Sequence, residues 1–242
     1  MARESETERM ASGLKKPFPP TDLVFTPVDK AKVKEADRLY VTVKPDPIRV
    51  IERLNDVLGF EGWSEAHTLL PSTEVECRLT IRDGDNWVAR TGVSSPAASL
   101  SEQGTSYRPG YLESTCAAAT KFGVGFYLLK LRLLVDWDKE KGNIKTPPQL
   151  PAFALPEEWL PADRQAADAA GKLIQQIATE GKLQPAEVQL KLLKRHSPLY
   201  SATTDLATLP RVHIRAVQTD AVEWLKGLAK KPDGTKQPQT AA

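Results

Sequence analysis

The clearest pattern of apolar positions lies in residues 46–59 and predicts an amphipathic helix. Apolar side chains recur there at spacings of three and four, which places them on one face of a helix. Asp46 can cap the first turn, Pro47 suits the first helical position, and Gly59 favours a stop. The apolar face is expected to hold Ile48, Ile51, Leu54, Val57 and Leu58.

Three strand-like segments follow, at 63–70, 74–82 and 87–93. Apolar and polar residues alternate strictly in the second segment, which is typical of a half-buried strand. Asp83-Gly84 separates the second segment from the third and favours a tight hairpin, because glycine readily adopts positive φ values. The buried face of the second segment is expected to hold Val75, Cys77, Leu79 and Ile81.

A run of small residues within 111–131 predicts a helix that packs closely against a sheet. Residues 114–120 are serine, threonine, cysteine or alanine, and Gly123-Val124-Gly125 then permits a sharp change of direction. The apolar run at 126–129 is expected to be buried. The first part of the chain is thus predicted as α-β-β-β-α, an α+β core in which an antiparallel sheet packs on a long helix.

Composition divides the chain into five segments. Residues 1–20 are polar and then rich in proline, which predicts a mobile arm before the α+β core at 21–141. Residues 142–161 carry five prolines and predict a stiff linker. A small all-α module at 162–231 and a polar tail at 232–242 complete the chain. The module is expected to hold helices at about 162–180, 185–196 and 209–230.

Composition also bears on where the protein works. Of 242 residues, 40% are hydrophobic and 26% are charged, and the net charge is +2, as in ordinary globular proteins. No apolar run reaches the roughly 18 residues that span a bilayer, and the polar N-terminus lacks the apolar stretch of a secretory signal. Cys77 and Cys116 lie in apolar patterns and are expected to be reduced thiols. A cytoplasmic protein without membrane contact is therefore predicted.

Local motifs for catalysis, cofactors and metals are absent from the sequence. No Gly-Lys-Ser/Thr follows the single Gly-x-Gly, and His67, His196 and His213 show no metal-ligand spacing. Cys116 is a candidate nucleophile, but burial among alanines raises a thiol pKa and makes it inert. The carboxylates Glu74 and Glu76 fit a solvated strand face. We therefore expect no enzyme, cofactor or metal, with a small enzyme that uses Cys116 as the alternative.

Four local motifs occur in an order that resembles a known family. They are Leu58-Gly59-Phe60-x-Gly62-Trp63, Arg82-Asp83-Gly84, Thr91-Gly92-Val93 and Phe122-Gly123-Val124-Gly125. This order is similar to that of the Rad-fifty-two-type single-strand annealing proteins, including the DdrA branch. The likeness covers about a third of the chain.

The resemblance implies a β-β-β-α fold that assembles into a homo-oligomeric ring. Single-stranded DNA, or the ends of double-stranded DNA, would lie in a basic groove of the ring with its bases exposed for pairing. The implied role is strand annealing and protection of DNA ends in DNA repair, recombination and the DNA damage response. Such a protein would associate with the nucleoid and would need no cofactor.

The resemblance also points to individual residues of a DNA site. Arg49 falls on the groove floor, so Arg49→Ala is expected to weaken binding, although Arg49 also fits a solvated helix charge. Phe60 falls where the family often has an aromatic near DNA, and it also fits a packing residue at the helix exit. Arg82 falls on an outer-site position or is an ordinary turn charge. The whole predicted set is Arg49, Arg53, Phe60, Arg82, Arg108, Lys121, Lys130 and Arg132.

One departure from the family pattern weakens the predicted groove. Cys116 and Ala117 stand where the family's long helix usually carries an adjacent Lys-Arg pair. Either other cations rebuild the groove, or DNA binding has moved or weakened. In the second case the chain is an oligomeric scaffold that recruits a protein partner through its C-terminal helices. The cations that could rebuild the groove are Arg49, Arg53, Arg108 and Lys121.

The C-terminal module carries an excess of positive charge. Basic residues outnumber acidic ones by eleven to seven over 163–231, whereas 44–132 holds ten basic and eleven acidic residues. Helical spacings of three and four place several of these cations on shared faces. They predict an auxiliary surface for DNA or a protein partner, and they equally fit a solvated face. The surface comprises Lys191, Lys194, Arg195, Arg211 and Arg215.

Overall fold

The chain folds into two compact units, which meet in sequence between residues 156 and 157. The first unit mixes helices with antiparallel sheets, and the second is built from helices, so the fold class is α+β. The structure is a computed structural model. It describes residues 5–72, 74–94, 108–146 and 148–229.

The described residues of the first unit form three helices and two sheets. The helices are α1 (Glu6–Lys15), α2 (Pro47–Leu58) and α3 (Arg108–Thr120). The strands are β1 (Leu23–Pro27), β2 (Arg38–Pro45), β3 (Trp63–Leu69), β4 (Val75–Asp83), β5 (Asn86–Val93), β6 (Arg132–Asp138) and β7 (Asn143–Ile144). One sheet has the order β1-β2-β6-β7 and the other β3-β4-β5, and all neighbouring strands are antiparallel.

Helix α2 confirms the first predicted element and its two caps. The Asp46 carboxylate accepts a hydrogen bond of 2.8 Å from the Ile48 N–H, and Gly59 ends the helix with φ of +70°. Leu54 is fully buried as expected. Ile48 is exposed, however, and Val50 is buried in its place. The buried stripe is therefore rotated from the predicted one and centres on Val50 and Leu54.

The sheet β3-β4-β5 confirms the predicted strands and hairpin. The four predicted inward residues of β4 are no more than 2% exposed, and α3 packs against this face. The approach is closest at Gly92 of β5, where an added Cβ would lie 2.2 Å from the Ala118 backbone nitrogen. Small residues on α3 and a glycine on β5 therefore let two backbones meet with almost no side chain between them.

The predicted mobile arm at 1–20 is wrong for its described part. Residues 6–15 form helix α1, which begins with a capping box between Ser5 and Glu8. Leu14 and Phe18 are 2% and 1% exposed and belong to the main core of the unit. The segment is polar overall, but a few apolar residues recur in it at helical spacing. Their burial against α2 holds α1 in place.

A second sheet lies outside the predicted β-β-β-α pattern. Strand β2 pairs on one side with β1 and on the other with β6, which comes much later in the chain. Leu39, Val41 and Val43 alternate along β2 and are buried. The alternation along β2 is visible in the sequence, whereas its pairing with β6 is not, because the two strands lie far apart in the chain.

The segment after α3 differs from the predicted buried run. Gly123 and Gly125 take positive φ values of 102° and 66°, which turns the chain sharply, as expected. Of the apolar run that follows, Leu128 is buried, but Phe126 and Leu129 are 61% and 64% exposed. The single helical turn that they form has one inward face only.

The proline-rich segment 142–161 is not a free connector throughout. Residues 143–144 pair with β6, and Ala154 is completely buried in the core of the first unit. The division between the units at residue 156 lies inside this segment.

The second unit contains the three predicted helices. They are α4 (Arg164–Gly181), α5 (Pro185–Lys194) and α6 (Arg211–Ala229). Apolar residues from all three meet in one core, which includes Ile174, Ile177, Leu192, Leu193, Ile214 and Val217. The predicted polar tail at 232–242 and residues 95–107 lie outside the described residues.

Candidate nucleic-acid interface

Arg49, the predicted floor of the groove, is held by two carboxylates. Its Nη1 lies 2.6 Å from Glu52 Oε2, and its Nε lies 3.4 Å from Asp22 Oδ1. The hydrogen bond that Arg49 donates to Glu52 raises the pKa of the guanidinium, and the charges of Glu52 and Asp22 act in the same direction. A phosphate at Arg49 would have to displace these partners, so its positive charge is largely compensated within the fold.

Arg53 lies one turn further along α2 than Arg49 and joins this helix to α1. Its Nη1 donates hydrogen bonds to the carbonyl oxygens of Gly13, at 3.3 Å, and Lys16, at 2.6 Å. The guanidinium also lies 4.2 Å from the centre of the Phe18 ring, a cation–π arrangement. Burial lowers the pKa of Arg53. These contacts make Arg53 an anchor for the end of α1.

A broad cleft beside the β4–β5 hairpin is acidic. Arg82 lies on its rim and donates a hydrogen bond of 3.0 Å to the Gly84 carbonyl oxygen. The lining of this cleft, about 790 Å³ in volume, contains four acidic side chains and two arginines. An acidic excess repels phosphate, which makes this cleft a poor DNA site. The charged lining residues are Glu6, Glu61, Asp83, Asp85, Arg9 and Arg82.

A second cleft, of about 460 Å³, lies between the end of α1, strand β5 and the turn after α3. We call it the basic cleft, because Lys15, Arg90 and Lys121 line it together with a single acid, Asp83. Asp83 already accepts a hydrogen bond of 2.9 Å from the Thr7 hydroxyl. All three cations are exposed.

The cations of the basic cleft have no compensating acids within the described part of the chain. No carboxylate there lies within 4.0 Å of the charged nitrogens of Lys15, Arg90 or Lys121. Uncompensated cations on a concave surface attract an anion more strongly than paired ones, since nothing has to be displaced. The basic cleft is therefore the strongest anion site among the surfaces that hold predicted residues.

Two aromatic rings stand beside these cations. The Arg90 guanidinium lies 5.8 Å from the centre of the Phe122 ring, and Phe126 is exposed on the next turn. Gly123 brings these groups together: a Cβ there would lie 2.8 Å from Lys15 Cγ. The sharp turn after α3 thus leaves room for the lysine stem and sets two rings beside three charges.

The remaining predicted residues of the first unit are dispersed. Arg132 is the first residue of β6, and Lys130 lies two residues before it. Both side chains are exposed, and neither lines the basic cleft. Phe60 is 93% exposed, so it is not a packing residue at the helix exit. The side chain of Arg108 lies outside the described residues. Of the predicted set, the structure places Lys121 alone in the basic cleft.

Most of the predicted auxiliary surface is internally paired. Lys191 lies 2.8 Å from Glu187, Arg195 lies 3.4 Å from Asp220, and Arg211 lies 3.1 Å from Glu157, each between charged atoms. Lys194 donates a hydrogen bond to the Pro198 carbonyl oxygen. Arg215 is exposed. These pairings leave little free charge on this surface.

A polar cluster that the sequence did not reveal lies between β3, β4 and α3. Ligand atoms of Glu65, His67 and Cys77 all fall within 4.8 Å of one another, around the Thr115 hydroxyl. No local spacing marked this cluster, because it depends on strand pairing, which sets His67 directly opposite Cys77. If the register of β3 against β4 were known, the alternation of side chains along the two strands would predict this cluster.

Both thiols are poor nucleophiles. Burial raises the pKa of Cys116 to about 12 and that of Cys77 to about 11. Such thiols are protonated at neutral pH, whereas the thiolate is the reactive form. This removes the chemical basis of the alternative in which Cys116 acts as a catalytic nucleophile.

Comparison of the chain with models of known protein families finds no match, and a search of curated proteins finds no significant match either. Within the described residues, no helix combines the length and the apolarity that crossing a bilayer requires.

Proposed function

We propose that this protein binds single-stranded DNA and anneals complementary strands as a homo-oligomer in DNA repair and recombination. The observation that carries the proposal is the basic cleft, in which Lys15, Arg90 and Lys121 stand uncompensated beside two aromatic rings. The order of sequence motifs that resembles the annealing proteins supports it independently.

The chemistry of the basic cleft suits a single strand. Lysine and arginine hold phosphates without regard to sequence, as annealing requires. Exposed rings such as Phe126 can stack with bases, and stacking of this kind tolerates any base. Neither interaction consumes a cofactor or breaks a bond.

The position of the basic cleft fits the departure from the family pattern. Cys116 and Ala117 replace the expected pair of cations on α3, and Arg49 and Arg53 are occupied by contacts within the fold. Lys121 directly follows the last residue of α3, about one turn beyond Cys116 and Ala117, and the basic cleft adds cations from α1 and β5. We therefore place the DNA path at the end of α3.

Oligomerisation follows from affinity and from one exposed surface. Three phosphate contacts give a log–log salt slope of only about −2 on single strands, so several subunits must act on one strand. Val28, just after β1, lies beside Tyr40 of β2 and Leu134 of β6, and each is more than 40% exposed. This apolar row offers a contact for a second copy of the chain.

The experiment compares the wild-type protein with the triple variant Lys15→Ala, Arg90→Ala, Lys121→Ala. Fluorescence anisotropy measures binding of a single-stranded oligonucleotide across a salt series, and annealing of complementary strands is scored in parallel. The variant should bind more weakly and lower the magnitude of the salt slope by about 0.7 for each lost contact. Phe126→Ala should cost about 1–3 kcal/mol of binding free energy.

Arg78→Ala is the matched control, because Arg78 is an exposed arginine on the opposite face of the β3-β4-β5 sheet. Its affinity should equal that of the wild type. Arg49→Ala should weaken binding less than the triple variant does. A larger loss at Arg49 would move the DNA path to α2, and a wild-type protein that binds no nucleic acid at low salt would overturn the proposal.

The alternative is an oligomeric scaffold with little DNA binding that recruits a protein through its C-terminal helices. The exposed apolar row favours this second function as much as the first, since it needs no DNA. Large assemblies in light scattering, together with no shift of any oligonucleotide, would decide for the scaffold.

A further inference from the structure

The cluster beneath α3 is assembled from two paired strands. His67 on β3 stands directly opposite Cys77 on β4, and Glu65 lies two residues before His67 on the same face of β3. His67 Nε2 and Glu65 Oε2 are 3.9 Å apart. Thr115 reaches down from α3 into the centre of the three side chains.

The Thr115 hydroxyl has more acceptors around it than it has protons. Its oxygen lies 2.8 Å from Glu65 Oε2, 3.0 Å from His67 Nε2, 3.0 Å from the Tyr111 carbonyl oxygen and 3.7 Å from Cys77 Sγ. One hydroxyl supplies one proton. The Glu65 carboxylate and the Tyr111 carbonyl oxygen therefore compete for this one proton, and in the Nδ1–H tautomer of His67 the Nε2 lone pair competes for it as well.

We propose that Glu65, His67 and Cys77 bind a zinc ion. A thiolate and an imidazole are the ligands that zinc prefers, and a carboxylate completes a three-residue set that leaves a fourth position for water. The Cys77 thiol, protonated without a metal, would release its proton to solvent when the ion binds. Calcium and magnesium take oxygen ligands and are disfavoured by this set. The proposal does not depend on DNA binding.

The geometry needs only small side-chain movements to accept the ion. Ligands at the usual zinc distances of about 2.0–2.3 Å stand roughly 3.5 Å from one another, and the three ligand atoms here already lie within 4.8 Å. Thr115 can withdraw from the centre while keeping its hydrogen bond to the Tyr111 carbonyl oxygen. The Tyr111 ring, 5.0 Å from the His67 ring and edge to face with it, limits the orientation of the imidazole.

The depth of the cluster is also suitable. Cys77 is completely buried, whereas the side chains of His67 and Glu65 are 17% and 32% exposed. An ion can therefore enter past Glu65 and reach a thiol that is shielded from solvent. Once bound, it would fasten β3 to β4 under the packing helix, because its ligands come from both strands.

The competing arrangement is a relay of hydrogen bonds without a metal. In that relay His67, in its Nε2–H tautomer, donates to Thr115, which donates to Glu65. The two arrangements differ at Thr115, which is central to the relay and is not a zinc ligand. Thr115→Ala, which removes the hydroxyl and leaves the centre open, should leave zinc affinity intact or raise it, whereas Cys77→Ser should lower it by ~100-fold or more, since loss of even an outer partner costs ~10–100-fold.

The experiment adds Co²⁺ and Zn²⁺ to the purified full-length chain, freed of metal by a chelator. Co²⁺ should produce a thiolate-to-metal charge-transfer band at one equivalent, and Zn²⁺ should abolish the band by displacement and raise the melting temperature. Mg²⁺ should do neither. The band should persist in Cys116→Ala, the matched control, since Cys116 is the only other cysteine.

Glu65→Gln and His67→Gln provide a second test in case Cys77→Ser does not fold. They are less disruptive, because these side chains are partly exposed while Cys77 lies in the core. Each folded variant, checked by circular dichroism, should lose at least ~10-fold in Zn²⁺ affinity. No charge-transfer band in the wild type, or a band that vanishes in Cys116→Ala and survives in Cys77→Ser, would overturn the proposal in favour of the hydrogen-bond relay.

Discussion

Whether a cation can hold a phosphate depends on the groups that its head already contacts. Arg49 lies against two carboxylates and Arg53 against two backbone carbonyls and a ring, so both are engaged in the fold. Lys121 also carries a positive charge and has no carboxylate within 4.0 Å among the described residues. Three cations that look alike in sequence thus differ in the energy that a bound anion would gain.

The imidazole of His213 makes the second unit sensitive to acid. Burial lowers the pKa of His213, and the neighbouring His196 lowers it further. Nδ1 of the neutral His213 ring lies 2.6 Å from the Tyr200 hydroxyl oxygen. The unfolded chain, whose histidine pKa is about 6.5, therefore takes up a proton at a pH where the folded unit does not. Stability must fall as the pH drops below about 6.5.

We expect the free energy of unfolding to decrease between about pH 7.5 and about pH 5.5, with a slope of up to about 1.4 kcal/mol per pH unit from this group. Urea unfolding followed by circular dichroism measures it. His213→Gln should flatten the dependence, while His196 and Asp220, which face the same cluster, remain in both proteins. An unchanged pH dependence in His213→Gln would show that other groups are responsible.

At the scale of elements, α3 and β5 approach each other backbone to backbone. A Cβ on Gly92 would lie 2.2 Å from the Ala118 nitrogen and 2.5 Å from the Ser114 carbonyl oxygen. Both neighbours are backbone atoms, which cannot turn aside as a flexible side chain can. Helix and strand must separate if any side chain is placed at Gly92.

Gly92→Ala should therefore destabilise the protein by about 1–3 kcal/mol or more, the usual cost of overpacking. The midpoint of urea unfolding measures the loss. Gly227→Ala is the contrasting variant, because Gly227 lies in helix α6 with open space around it. It should gain up to about 1 kcal/mol from helix propensity. Equal effects of the two substitutions would contradict the close approach.

Elements with a local periodicity could be predicted, and those without one could not. Helix α2, strand β4 and the three C-terminal helices each carry their pattern within a short window. The sequence predicts a mobile arm where helix α1 forms, because charged residues outnumber the few apolar residues of α1. The pairing of β2 with β6 depends on residues far apart in the chain, and no short window contains both.

At the scale of the whole molecule, the exposed row of Val28, Tyr40 and Leu134 is the surface that we expect subunits to share. These side chains lie on or just after adjacent strands and are 45%, 57% and 43% exposed. Contiguous apolar side chains on a sheet face are typical of contact surfaces. A charge at the centre of such a contact is poorly tolerated, because it must be desolvated.

Tyr40→Lys should therefore shift the protein to smaller assemblies, as measured by light scattering after size-exclusion chromatography. Phe153→Lys is the matched control, since Phe153 is a comparably exposed aromatic at 64% and lies outside the row. Single-strand affinity should fall with assembly size in Tyr40→Lys, because fewer basic clefts act on one strand. Assemblies of unchanged size would place the subunit contact elsewhere.

Local pattern was enough to establish α2, the alternation of β4, the packing helix and the α+β class, because backbone propensity and periodic burial act over a few residues. Folding alone brings Lys15, Arg90 and Lys121 to one cleft and sets Glu65 and His67 against Cys77. Charge compensation, close approach and ligand geometry are properties of distances in space. Such distances follow from strand register and helix packing, which no single segment contains.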